Sequence, residues 1–197
     1  MDKQLVAGIE QIFTIRGFLT ADECAEQIAR TERIGFGDAP ITTSGGPVIY
    51  KEMRNNERVM FDDPDLAQRL WEKLQPFVDA ERGSGWRAIG LNERFRFYRY
   101  DPGQQFAWHY DGSFDRSPAE RSKLTFMVYL NDGFEGGATE FHLRLAGGSL
   151  EDDPVTSVIP EAGMALLFDH RILHQGSSVV SGRKYVLRSD VMYQRKM

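Results

Sequence analysis

The chain is poor in several features that would assign a protein quickly, and each absence excludes a class. Cys24 is its only cysteine, so no intrachain disulfide can form and nothing points to an oxidising compartment. No apolar run approaches the roughly 18 residues of a membrane span, and Met1–Glu10 lacks the apolar core of a signal peptide. The expectation is an unanchored, cytoplasmic protein. Lys and Arg number 24 against 29 Asp and Glu, a net charge of −5, which argues against nucleic acid as a partner while leaving room for a local basic channel. The glycine pairs Gly45–Gly46 and Gly147–Gly148 are isolated and make no phosphate loop, and there is no G-x-S-x-G elbow. His170 and His174 stand four apart, but no Glu follows His170 to make a zinc-protease motif. His142 and His170 are expected at strand ends or on the surface. No internal repeat or low-complexity tract divides the chain.

What remains is ordinary globular composition, 41% hydrophobic and 27% charged over 197 residues, enough for one domain with its own core. We expect a single domain over 1–197, with a helical part at about 1–85 and a β core at about 86–197. Phe13–Arg16 reads as a short strand. Thr20, with Glu23 three residues on, predicts a capping box and a helix to about Arg33. A Gly- and Thr-rich loop should follow from Gly35 to Pro47, and Arg54–Arg58 looks polar and exposed. Asp63–Pro64 opens a second helix, in which Leu66, Leu70, Leu74 and Phe77 recur at helical spacing.

From Leu91 the period changes from 3.6 to 2. Over Asn92–Tyr100, Phe95, Phe97 and Arg99 alternate with Arg94, Arg96, Tyr98 and Tyr100, giving an apolar face and a polar aromatic one. Asp101–Gly103 turns the chain. Further strands are expected at Leu124–Leu130, Ala138–His142, Ser157–Ile159, Ala165–Phe168 and Lys184–Tyr193. Short strands after a helical start suggest an α+β chain whose core is a double-stranded β-helix, the jelly roll, with the N-terminal helices packed on one sheet.

The most informative residues are His109 and Asp111, in Phe106-Ala-Trp-His-Tyr-Asp-Gly112, together with His174 far downstream. Alternation along a strand lets His109 and Asp111 face one way while Tyr110 faces the other. Two imidazoles and one carboxylate that leave three positions open form the set that non-haem Fe(II) oxygenases use. Each ligand also has a plainer reading, Asp111 as a turn residue before Gly112 above all.

The surrounding segments closely resemble the prolyl 4-hydroxylase branch of the Fe(II)/2-oxoglutarate-dependent dioxygenases. They are Tyr100–Asp111, Leu124–Asn131, Gly136–Phe141, Gly163–Phe168, and His174 followed by Ser181–Tyr185, about half the chain in the family's order. The resemblance implies Fe(II) on His109, Asp111 and His174, and 2-oxoglutarate and O2 at the open positions. It also implies decarboxylation to succinate with hydroxylation of an unactivated C–H bond, and ascorbate as an accompanying reductant.

It further implies a cation for the distal carboxylate of 2-oxoglutarate. Lys184, ten residues after His174 and before the aromatic Tyr185, fits that place, and Arg183 competes for it. Tyr129 and Tyr100 match pocket tyrosines, whose phenols donate a hydrogen bond while their rings line the wall. Thr125 and Met127 share the face of Tyr129 by alternation, and Arg188 that of Lys184. Arg94, Arg96 and Tyr98, aligned with Tyr100, are candidates for a substrate mouth that Arg54, Asn55 and Arg58 would join, hinting at an anionic or strongly polar substrate. The alternative readings are a cupin-like metal dioxygenase that needs no 2-oxoglutarate and a non-catalytic sensor. The candidate substrates are a protein prolyl residue and a small molecule.

Overall fold

Alternation becomes two antiparallel sheets that face each other across an aromatic layer. The computed structural model describes residues 1–43, 45–83, 85–143 and 154–196; the pair Gly147–Gly148 lies outside them. The large sheet has ten strands. Eight run in the order Asp2–Val6, Ile9–Arg16, Ala165–Asp169, Glu120–Tyr129, Lys184–Arg195, Arg94–Tyr100, Glu57–Asp62, Gly37–Asp38, with Asp115–Ser117 on Glu120–Tyr129 and Trp86–Leu91 on Lys184–Arg195. The smaller sheet runs Val155–Val158, Thr139–His142, His174–Gly176, Phe106–His109. The two sheets make a jelly-roll-type core.

The period-2 pattern sorts side chains between two cores. Phe95 and Phe97 pack with Phe126, Val128, Leu187 and Val191 on the outer face of the large sheet. There they meet Cys24, Leu66, Leu70 and Leu74 of the two helices. Tyr98, Tyr100, Tyr129 and Phe168 point to the inner face, against Phe141 and Val158 of the small sheet. The Phe141 and Phe168 rings meet edge to face at 5.0 Å. The outer face is therefore a plain hydrophobic seat for helices, and the inner face carries the polar aromatics that line a pocket.

Local signals placed both helices. Ala21–Ile34 starts at Thr20, whose hydroxyl accepts from the Glu23 amide while the Glu23 carboxylate accepts from the Thr20 amide. Pro64–Leu74 starts at Asp63, which caps the Leu66 amide, and Leu66, Leu70 and Leu74 form its buried stripe.

The first third is nonetheless not mostly helical, and this corrects the expectation. It contains six strands, and the one expected at Phe13–Arg16 is the eight-residue Ile9–Arg16, paired to Ala165–Asp169. The supposed loop after Gly35 holds the edge strand Gly37–Asp38 and a hairpin of Ile41–Thr43 with Gly46–Val48. Arg54–Arg58, expected to be exposed, is not. Arg54 and Asn56 are buried, and Glu57–Asp62 runs antiparallel to Arg94–Tyr100. Among the described residues no helix is long and apolar enough to cross a membrane.

Candidate active site

His109 and His174 are direct cross-strand partners in the small sheet, so pairing alone sets the two rings side by side, 4.2 Å apart. The strand ends at His109. Its pleat carries on through Tyr110, which is exposed, to Asp111, whose amide donates to the His170 carbonyl. The Asp111 carboxylate thus turns inward. Its two oxygens lie 3.6 Å from His109 Nε2 and 3.6 Å from His174 Nε2, and one ligand atom from each residue falls within 4.8 Å of the others.

Protonation is arranged for a cation. Nδ1 of His109 sits 2.7 Å from the Ala107 carbonyl and Nδ1 of His174 sits 2.9 Å from the Ile172 carbonyl. A carbonyl only accepts, so each Nδ1 carries the proton and each Nε2 lone pair faces Asp111. Burial pushes the His174 imidazole down to about 4, so it is neutral at ordinary pH. Burial alone would raise the Asp111 carboxyl, but Arg188, His174 and His109 hold it well below the usual carboxylate range. Two imidazoles whose Nε2 atoms face a carboxylate fit a divalent ion such as Fe(II).

Asp111 is held from behind by a chain of hydrogen bonds that sequence reasoning missed. Thr125 donates to Asp111 Oδ2, so its single proton is spent, and its oxygen must accept from His170 Nδ1, 3.0 Å away. His170 Nε2 then accepts from Ser122 Oγ at 3.0 Å, which itself accepts from the Phe114 amide. Burial lowers the His170 imidazole and keeps it neutral, as this one-proton-per-link chain requires. His170 does stand at a strand end, but it is buried. Thr125 accordingly touches Asp111 and His170, not the far end of the pocket.

That far end is formed by Lys184. Its side chain is fully buried, its ammonium donates to the Gly137 carbonyl at 2.6 Å, and it lies 5.1 Å from the Tyr100 ring and 5.5 Å from the Tyr129 ring. Burial brings the Lys184 ammonium down to about 7 and lifts the Tyr100 phenol to about 12. Tyr129 shares a 2.7 Å hydrogen bond with Thr139 Oγ1, and Thr139 also lines the pocket. That residue was within sight in Gly136–Phe141, where alternation pairs it with the inward Phe141. Arg183 points away and binds Asp101 at the surface, which separates the two competing cations.

Tyr98, Met127 and Arg188 line the same pocket as the three clustered ligands and Lys184. Arg188 reaches Asp111 Oδ1 at 2.8 Å. Arg94 lies away from it, in an exposed pair with Asp62, and Arg96 is turned to Asp190 at 3.2 Å. Arg54, read from sequence as exposed, stacks over the Phe106 ring at 4.4 Å and the Tyr98 ring at 4.5 Å. Asn55 accepts from the Gln105 amide and fixes the segment just before the His109 strand.

Residues 95–189 match the 2OG-Fe(II) oxygenase superfamily. Prolyl 4-hydroxylase 1 of Arabidopsis thaliana is 26% identical over 92% of this chain and 69% of its own length. The viral collagen prolyl hydroxylase of Paramecium bursaria Chlorella virus-1 superposes with a TM-score of 0.60 at 22% identity, covering 98% of this chain and all of that one. A Trichoplax adhaerens prolyl hydroxylase, solved with a peptide fragment of the hypoxia inducible factor oxygen degradation domain, reaches 0.69 at 16% identity over 94% of this chain and 84% of its own.

Proposed function

We propose that this chain, whose residues 95–189 match the 2OG-Fe(II) oxygenase superfamily, is such an oxygenase and holds Fe(II) on His109, Asp111 and His174 and the distal carboxylate of 2-oxoglutarate on Lys184. The observation that carries this is the coincidence of both ends in one pocket. Two Nε2 lone pairs and a carboxylate converge at one side, and a buried ammonium with no counter-charge among the described residues stands at the other. Fe(II), 2-oxoglutarate and O2 supply the oxidation, in which 2-oxoglutarate becomes succinate and CO2 and one oxygen atom enters a substrate C–H bond.

The residues' own tasks are binding, orientation and exclusion of water. The backbone carbonyls of Ala107 and Ile172 fix the imidazole tautomers, and Thr125 and Arg188 fix the carboxylate rotamer. Tyr100 lines the pocket beside Lys184, and Tyr129, whose hydroxyl is shared with the pocket residue Thr139, packs behind it. Met127 and Val186 complete a dry wall. A metal enzyme that used no 2-oxoglutarate would bury the Lys184 ammonium to no purpose, at a cost of several kcal/mol, so the cupin-like reading is the weaker one.

The named relatives are prolyl hydroxylases, which makes a prolyl ring the first substrate to try. The test is succinate formation from 2-oxoglutarate by the iron-loaded protein with ascorbate, across prolyl peptides, free amino acids and small metabolites. Stimulation by one of these supports the reading. Iron-loaded protein that leaves 2-oxoglutarate unconsumed under every condition overturns it.

A further inference from the structure

The inner face of the large sheet carries more positive charge beside the metal ligands than the proposed chemistry uses. Register puts Arg96 directly opposite Arg188, and Arg58 directly opposite Tyr98. Val59 points into the outer core, so its neighbour Arg58 faces inward. Like charges set opposite each other across strands are destabilising, and here Arg54, stacked on Tyr98, adds a fourth guanidinium. Two carboxylates answer them. Asp190 takes Arg96 at 3.2 Å and lies 3.8 Å from Arg188, and Asp111 takes Arg188 but is committed to the metal.

Two guanidinium nitrogens here, Arg54 Nη2 and Arg188 Nε, are buried without a hydrogen-bond partner among the described residues, as is the Asp190 Oδ1 acceptor that lies 3.8 Å from Arg188. Buried donors are rarely left without a partner, and an oxygen-bearing group entering beside them would supply one. Burial, then Arg54, Arg96 and Arg188, work against the charge on Arg58, with the Tyr98 phenol opposing them. The cluster sits within reach of the chemistry, because Arg54 stacks on Phe106 and the Phe106 ring stacks on His109 at 3.5 Å. A carboxylate held by Lys184 does not serve this cluster as well, since four residues of strand, about 13 Å, separate Lys184 from Arg188.

We propose that the primary substrate carries an anionic oxygen group, a carboxylate or a phosphate, which docks against Arg54, Arg58 and Arg96 beside Tyr98 while the C–H bond to be oxidised lies over the metal. A planar guanidinium fork matches either anion in two parallel hydrogen bonds. The proposal rests on the Fe(II)/2-oxoglutarate reading and adds the substrate class.

The test is anaerobic calorimetry on the Fe(II)-loaded full chain, saturated first with 2-oxoglutarate so that Lys184 is occupied. N-acetyl-L-proline, inorganic phosphate and the neutral N-acetyl-L-proline amide are then titrated separately. At least one anion should bind saturably and the amide at least about ten-fold more weakly, the two anion arms telling carboxylate from phosphate. Arg58→Met and Arg96→Met should each weaken the anion by about ten-fold or more while the first, 2-oxoglutarate titration stays within about two-fold, which also certifies that each variant is folded. Failure of both anions to bind to protein that has taken up 2-oxoglutarate overturns the inference alone, as does anion binding that both variants leave unchanged. Protein that takes up neither Fe(II) nor 2-oxoglutarate sinks the parent reading, and this inference with it.

Discussion

Arg188 Nη2 stands 2.8 Å from Asp111 Oδ1, on the same carboxylate that faces both ligand imidazoles. A guanidinium beside the carboxylate proposed to bind metal is an odd neighbour for a divalent cation, and its effect is to keep the acid ionised in a site where burial would otherwise protonate it. Arg188→Met should therefore shift the acid limb of metal binding to higher pH. A carboxyl whose folded value is depressed keeps its charge until pH falls through that value, and removing the cation raises it. Fe(II) or Mn(II) affinity measured from pH 4 to 7 checks this, and a limb that does not move would show that the histidines alone hold the charge. Asp111→Ala should abolish most metal uptake at every pH.

Thr125 links Asp111 to His170. Thr125→Val keeps the shape, breaks both hydrogen bonds and leaves buried polar groups unpaired, so it should cost about 1–3 kcal/mol of stability and weaken metal binding. Thr125→Ser should restore most of both. Thermal unfolding and metal titration of the pair decide the matter, and a serine variant no better than valine would mean that the methyl group, not the hydroxyl, is what counts.

Lys184→Ala should raise the KM for 2-oxoglutarate by roughly 30-fold or more, the usual scale for losing one partner of a desolvated charge pair, with metal uptake nearly unchanged. Arg183→Ala, which removes an exposed pair with Asp101, should change it little. A larger effect at Arg183 would contradict the assignment of the buried ammonium.

The same lysine sets a pH dependence. Burial pushes its ammonium from an ordinary 10.5 down to about 7 in the unliganded pocket, and a carboxylate partner must raise it again. Affinity for 2-oxoglutarate should be flat below about pH 7 and fall by up to about ten-fold per unit above it, until the higher value of the complex is reached. Without ligand, folding stability should rise as pH climbs from about 7 towards 10.5, because the unfolded lysine keeps its proton over that window and the folded one does not. Calorimetric 2-oxoglutarate binding between pH 6 and 9 reads the first effect, and a slope of zero would assign the carboxylate to another cation.

How far these elements were legible from sequence depended on the range over which each was determined. Thr20 with Glu23, and Asp63 with Pro64, are local devices whose partners sit within three residues, and both helices began where those devices stand. The alternation from Arg94 to Tyr100 also sufficed, since a strand's two faces follow from its own period. Arg54 was misread because its burial is created by Phe106 and Tyr98, about 50 residues away in sequence, and nothing near it signals that. The strand Trp86–Leu91 was missed because Arg87 and Gly90 interrupt any apolar run. The Ser122, Thr125 and His170 chain required knowing that Glu120–Tyr129 lies beside Ala165–Asp169, which is a fact of pairing and not of pattern.

The central position of Lys184–Arg195, between Glu120–Tyr129 on one side and both Arg94–Tyr100 and Trp86–Leu91 on the other, has a consequence for kinetics. Ile9–Arg16 likewise pairs with Ala165–Asp169, closing a loop of roughly 150 residues whose entropy must be lost before any pairing energy returns. No contiguous stretch of chain assembles His109, His174 and Lys184, so a partly folded intermediate has nothing with which to grip both the metal and the co-substrate. Bound ligands should then leave the refolding rate almost untouched and act on the opposite limb, slowing unfolding by nearly the whole of their binding free energy. The site would guard the finished barrel without helping to build it.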